Sequence, residues 1–515
     1  MAQIESTGAT GGRVEMKRTL SLTGVTVNAM ALIAPGAFLW TTFQAQASLQ
    51  NGGKTTALDM FGGLLAALVL AFLTAISYGQ LSDIYPDAGA GSSYYFAEAA
   101  FLSRERHRRF ARLAKFGIGW ISHLYYWIYP GIMVAFSATL VGYLFSLAGV
   151  SIANWELIGF AVIFAAVNGY IAFRGISGST MTAIAINVIQ LTALLIFSIL
   201  AITFRLTHGS VQYEHSSITS VLRPHNMTNL LYQSSIAILL LVGFESVTAL
   251  GAEAVNPKRD IRRAVLLSLA VQGLLAYVFE YVAANFFIGN QLAGKAADGS
   301  AVTGYAAAAA SSAPLGDMVK VIGDRMLGGT GTALAVILAA TVILALIGTT
   351  LACLNTGVRI SYVMGKDREL PSVLGILHGR YATPHWGIWV LVAISAALGG
   401  YGALNVDNLT KITLASNTGT FLVYGMTNLV AVVAFLGRPG ASRVKHLIVP
   451  VLGALANLLM LVFVVKLSIS AGGTTQTDTL VALGMVGVWL GVGIIWLLAN
   501  SAASRQPLLA GRREA

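Results

Sequence analysis

The residues able to do chemistry in this chain are few, and they sit where apolar runs are broken. Leu231 to Ala264 begins as a membrane-spanning helix, but Gly243, Glu245 and Ser246 interrupt it near its middle. A carboxylate in hydrocarbon costs about 3 kcal/mol or more, so Glu245 must face protein, water or a ligand. Gly243 weakens the helix locally, and irregular backbone at that depth survives only where it lines a cavity or is buried in protein. A second run, Leu20 to Ala45, is flawed at Ala34-Pro35-Gly36. Proline removes a backbone donor and clashes with the preceding turn, which predicts a break there as well. Two interrupted spans at matching places in two halves of a hydrophobic chain point to the substrate site of a secondary transporter.

The breaks themselves supply recognition groups. An unwound helix leaves N–H groups unpaired at the start of its second half and C=O groups at the end of its first. The N–H end favours an anion and the carbonyl end an ammonium. A zwitterionic amino acid presents both charges. Its carboxylate is expected on the amides around Pro35, Gly36, Ala37 and Phe38. Pro35 has no N–H, so Gly36 and Ala37 carry more of that contact. Its amine is expected on carbonyls near Leu32 and from Leu241 through Val242 to Gly243. The competing reading is that Pro35 and Gly243 are packing kinks.

Other polar or aromatic positions each have two readings. Tyr126 and Tyr129, three residues apart in WISHLYYWIYPG, share a helical face and could pack on a substrate or offer hydroxyls. Core packing is the alternative, for Tyr125 and Trp127 above all. Glu245 is either a proton carrier for coupling or a hydrogen-bonded brace, and Glu280 faces the same choice. Asn417 is a polar substrate contact or a tie between helices. His123 could exchange a proton near neutral pH or be satisfied within the bundle.

The elements that must position these residues are membrane helices. Apolar residues make up 56% of the 515 and charged ones 10%, against roughly 25% charged in a soluble protein. At roughly 20 residues per span, twelve spans are expected, at about 20–45, 57–82, 116–148, 154–173, 181–204, 229–253, 264–289, 331–358, 385–402, 409–436, 446–469 and 478–500. With the N-terminus inside, 24 of the 32 Lys and Arg fall on the inner face, so both termini are expected in the cytoplasm. The net charge of +11 is then a topology signal rather than a nucleic-acid surface. Cys353 is the single cysteine, so no intrachain disulfide forms. The polar first 19 residues do not resemble a cleavable signal. Residues 83–115 are expected to hold an interfacial helix with arginines at lipid headgroups, unless those arginines only set topology. Residues 290–330 are expected to form short outer helices.

With these motifs in view, the sequence resembles the amino acid–polyamine–organocation (APC) transporters over about residues 15 to 440. Ile33-Ala34-Pro35-Gly36-Ala37-Phe38 looks like the family's first-helix motif. Pro86 to Tyr94 resembles the loop after span two. Gly243-Phe244-Glu245-Ser246, with Glu253, Asn256-Pro257-Lys258-Arg259 and Arg263-Ala264, is the most specific match. Arg359, Met364, Asp367, Leu370-Pro371, His378 and Thr383-Pro384 resemble the loop after span eight, and Gly419-Thr420 with Tyr424 resembles span ten. The resemblance implies an all-α integral membrane fold of about 12 transmembrane helices, a 5+5 inverted repeat with discontinuous helices 1 and 6, plus two peripheral helices. It implies a core at 20–436, with repeats at about 20–205 and 229–436. Two peripheral spans follow at 437–503, with cytoplasmic tails at 1–19 and 504–515.

The resemblance also implies that the face bearing Tyr126 looks into the cavity. It places Thr349 and Thr350 where sodium-coupled relatives put hydroxyl ligands, although threonines in spans usually bond their own backbone. Leu239 stands where many members have a lid tryptophan. The lysine of one proton-coupled branch is missing from Asn187 to Ala193, and Arg262 replaces a usual proline.

These features imply a secondary active transporter, a permease, moving amino acids or related amines across the cytoplasmic (inner) membrane by alternating access. An inorganic cation or another small organic solute is the alternative cargo. The expected partners are a small-molecule substrate, a coupling proton or sodium ion, and the lipid bilayer. No cofactor, resident metal or nucleic acid is expected. The chain shows no catalytic cluster, no P-loop and no symmetric filter loops, so an enzyme, a pump and a channel are disfavoured.

Overall fold

A computed structural model describes residues 20–33, 35–86, 91–175, 180–251, 253–505 and 507–509. Its helices are α1 (Leu22–Ile33), α2 (Pro35–Ser48), α3 (Met60–Ile84), α4 (Ser93–Leu102), α5 (Ala111–Leu147), α6 (Asn154–Phe173), α7 (Thr180–Thr207), α8 (Ile218–Leu222) and α9 (Met227–Ala237). They continue as α10 (Pro257–Ser268), α11 (Val278–Phe287), α12 (Gly304–Ala310), α13 (Pro314–Met326), α14 (Gly331–Lys366), α15 (His385–Ala403), α16 (Val406–Phe435), α17 (Val449–Ser470) and α18 (Gly473–Ser504). Among the described residues, 11 helices are long and apolar enough to cross a membrane. The twelfth expected span is the α1–α2 pair, whose halves hold 12 and 14 residues. At 1.5 Å per residue the two together reach about 39 Å, enough for the hydrocarbon core. This is an all-α, multi-pass membrane protein.

Exposure follows the bilayer reading. The outer flanks of α6, α7, α17 and α18 carry large exposed apolar side chains such as Ile163, Leu195, Leu458 and Ile494. In water they would form a patch far larger than soluble proteins tolerate. Inside, α5 packs against α14, α15 and α16, while α1 and α2 lie against α10, α12 and α14. The last span closes on α5 through an aromatic pair. The Trp120 and Trp489 rings stack at 4.8 Å, and each indole N–H donates to the other residue's carbonyl, at 2.9 and 3.0 Å.

Two loop regions differ from expectation. Among the described residues of 83–115, the α-helix between the end of α3 and α5 is the ten-residue α4, followed by a short 3-10 turn, Glu105–Phe110. Several of the basic residues turn inward rather than to headgroups. Arg112 pairs with Glu369 at 2.9 Å, Lys115 reaches Glu98 at 3.0 Å, and Arg104 donates to the carbonyls of Val433 and Ala434. Their partners lie up to 330 residues away, so no local pattern marks them. In 290–330 the expected short helices are α12 and α13, but a hairpin of β1 (Ala293–Lys295) and β2 (Ala301–Thr303) precedes them. Three-residue strands are too short to show a period. The tail 1–19 and the loop residues Asp87 to Ala90 lie outside the described residues.

Candidate functional site

Span six loses its helix where the sequence places the break. α9 ends at Ala237, a 3-10 turn carries Ile238 to Leu240, and Gly243 adopts φ +128° before a second 3-10 stretch, Phe244–Leu250. Only glycine takes that backbone conformation at little cost. In span one α1 is described to Ile33 and α2 from Pro35, with Ala34 between them outside the described residues. Gly36, Ala37 and Phe38 form the first turn of α2, whose amides are the donors that an anion would use. The side chains of Pro35, Ala37 and Phe38 lie outside the described residues.

The span-six break touches the end of α1. A Cβ on Gly243 would stand 2.6 Å from Leu32 Cδ2 and 2.8 Å from Leu32 Cβ. Leu32, Val242 and Gly243, expected around one site, are therefore neighbours, and Leu32 and Val242 are both fully buried.

Glu245 braces the broken segment. Its Oε2 accepts from the Gly243 N–H at 3.0 Å and from the Tyr424 hydroxyl at 2.7 Å, and its Oε1 accepts from Tyr126 at 3.1 Å. Three donors on one carboxylate is a set that stabilises a buried charge. Ser246 Oγ donates to the Gly243 carbonyl at 2.6 Å, closing the turn from the other side.

Side chains also hold the carbonyl ends. In span six, Asn417 Nδ2 donates to the Ser235 carbonyl at 2.8 Å, and Tyr129 donates to that of Leu239 at 3.4 Å. In span one, Gln272 donates to Met30 at 3.3 Å, Thr349 to Ala31 at 2.8 Å and Tyr277 to Ile33 at 2.7 Å. Thr349 also bonds Ala345, and Thr350 bonds only Leu346, its own helix. A narrow crevice lined by Thr42, Phe136, Ile236, Leu239 and Thr413 lies beside the end of α9.

The structure thus brings together Leu32, Tyr126, Tyr129, Leu239, Val242, Gly243, Glu245, Thr349 and Asn417. Among the expected residues whose side chains are described, Thr350 bonds within its own helix. His123 has both ring nitrogens engaged, with the Gly119 carbonyl at 2.7 Å and Ser361 at 3.0 Å, as a satisfied core histidine would. Glu280 has no such partners, which removes the brace reading for it.

Sequence reasoning missed Gln272 and Tyr277 as holders of the α1 carbonyls. It met Tyr424 only as a motif residue. Polar residues inside span seven were the available signal, since such groups face protein rather than lipid.

An ion pair ties the end of span six to α14. Arg359 forms an ion pair with Glu253 and donates to the Ala249 carbonyl at 3.5 Å. Beside it, Leu20 pairs backbone to backbone with Glu253 and Val255, both at 2.9 Å. The start of span one is thereby fastened to the end of span six.

A helix interrupted at Gly243 and packed on the end of α1, inside a multi-pass bundle, is an arrangement that membrane transporters use. The chain matches the amino acid permease family over residues 24–501 and belongs to it. It is 23% identical to a low-affinity putrescine importer of Escherichia coli, over 96% of both chains. It is 26% identical to a branched-chain amino acid permease of Lactococcus lactis, over 70% of this chain and 71% of that one. A methylthioribose transporter of Bacillus subtilis is 23% identical over 88% of this chain and 89% of its own.

Proposed function

We propose that this protein is a secondary active transporter that carries an amino acid or related amine by alternating access, with the touching breaks as its substrate site. The observation that carries this reading is the contact of Gly243 with Leu32, which packs the span-six break on the end of α1. The substrate carboxylate binds at Gly36, Ala37 and Phe38. Its amine binds at carbonyls beside Leu32 and Val242, and its side chain lies toward Tyr126, Tyr129, Leu239 and Asn417. Relatives named for branched-chain amino acids and for putrescine support a cargo with an amino group.

A neutral amino acid is favoured over a polyamine, because Glu245 is the one carboxylate at the breaks and three donors already engage it. In this reading residues 20–436 form the transport core, and 437–503 are peripheral. Both termini face the cytoplasm across the inner membrane, so the Arg359–Glu253 pair closes the cytoplasmic side. Glu245 carries the coupling proton or, if sodium couples instead, Thr349 supplies one oxygen.

The test is uptake into proteoliposomes over a panel of amino acids and amines, with sodium and proton gradients imposed separately. Saturable uptake of a neutral amino acid driven by one gradient supports the reading. Cargo limited to inorganic cations would replace it.

A further inference from the structure

Away from the breaks, one carboxyl group in the bundle has nothing to bond. Glu280 is 1% exposed, and both of its carboxylate oxygens lack a hydrogen-bond partner. The hydroxyls nearest along its helix are committed elsewhere, Tyr277 to the Ile33 carbonyl and Tyr281 to Gln46 Oε1. None of the ion pairs among the described residues includes it.

Glu280 lines a cavity of about 230 Å³ between α7 and span seven, where Ser198 Oγ is a second buried group without a partner. The remaining walls include Leu194, Val271, Leu275 and Phe279. Leu275 is 66% exposed and Phe279 37%, so the mouth opens on the apolar flank of the bundle. Val271 and Leu275 belong to a π-helical stretch, Leu269–Tyr277, a local distortion frequent at functional sites.

We propose that this cavity binds a small monoamine with an apolar body, entering from the bilayer. An ammonium carries three donors, matching two carboxylate oxygens and one hydroxyl oxygen. A hydrocarbon occupant such as a lipid tail would fill the space but leave all three oxygens unpaired, which is costly in an apolar setting. The volume lies below the roughly 300–1,000 Å³ of pockets for drug-sized ligands, so a single ring on a short chain suits it. The site is separate from the two breaks and does not rest on the transport reading. It adjoins the stretch whose Gln272 and Tyr277 hold the α1 carbonyls, so an occupant stiffens the support of the first break.

The experiment is calorimetric titration of the full-length protein in lipid nanodiscs with benzylamine, with benzyl alcohol as the uncharged control. Wild type is expected to bind benzylamine saturably and benzyl alcohol at least tenfold more weakly. Glu280→Gln, checked for native size and helicity, should weaken benzylamine at least tenfold. Ala276 also lines the cavity, and Ala276→Phe, which fills it and leaves the carboxyl in place, should do the same. Three results would overturn the proposal: no saturable binding to wild type, equal binding of the alcohol, or benzylamine binding unchanged in both variants, which would place the amine elsewhere.

Discussion

Gly243 of span six lies so close to Leu32 of span one that a single added carbon would sit 2.6 Å from the leucine side chain. The backbone there also holds φ +128°, which an L side chain takes only under strain. Gly243→Ala therefore combines strain of about 1–3 kcal/mol with overpacking of similar size. Purified Gly243→Ala should melt several degrees below wild type and show no uptake. An unchanged melting temperature would mean that the breaks are not in contact.

Tyr424 and Tyr126 both donate to Glu245, at 2.7 and 3.1 Å. A hydrogen bond to a carboxylate contributes about 1.5–3 kcal/mol. Tyr424→Phe should therefore destabilise the protein more than Tyr126→Phe, and the double variant should lose less than the sum. Thermal unfolding of the three variants in one detergent checks this. Strict additivity would show that the two hydroxyls do not share a partner.

Glu245→Gln separates brace from proton carrier. The amide keeps one acceptor oxygen, so the segment should fold and exchange substrate across the membrane. Accumulation driven by a proton gradient should be lost. Comparing counterflow with gradient-driven uptake gives the answer, and undiminished accumulation would remove Glu245 from coupling.

The Arg359–Glu253 pair predicts a change in access that the protein's only cysteine can report. Cys353 is fully buried in α14, the helix that carries Arg359. Arg359→Ala should loosen that end and speed maleimide labelling of Cys353 several-fold. Exchanging the two charges, Arg359→Glu with Glu253→Arg, should restore slow labelling. Equal rates in all three proteins would mean that the pair does not close the site.

Much of this architecture was legible in the residues because a bilayer is a strict solvent. It demands long apolar runs, so every expected span has a helical counterpart, and a proline or a glycine beside a carboxylate stands out within them. Gly243 marked the break in span six for that reason, while the one expected at Ala34-Pro35-Gly36 falls partly outside the described residues. What stayed hidden depended on distant pairing. Nothing local tells that Gln272 serves Met30, 242 residues away, or that Arg112 meets Glu369 across 257. Nor does anything local tell that Asn417 reaches the Ser235 carbonyl, 182 residues away. The outer hairpin was illegible because three-residue strands carry no alternation.

The central claim is that the amides opening α2 receive the substrate's carboxylate. Uptake of the best substrate by Gly36→Val in proteoliposomes, beside wild type at equal protein density, tests it most directly. The added side chain should fill the anion site and abolish uptake while leaving size and helicity unchanged. Full uptake by that folded variant would contradict the account.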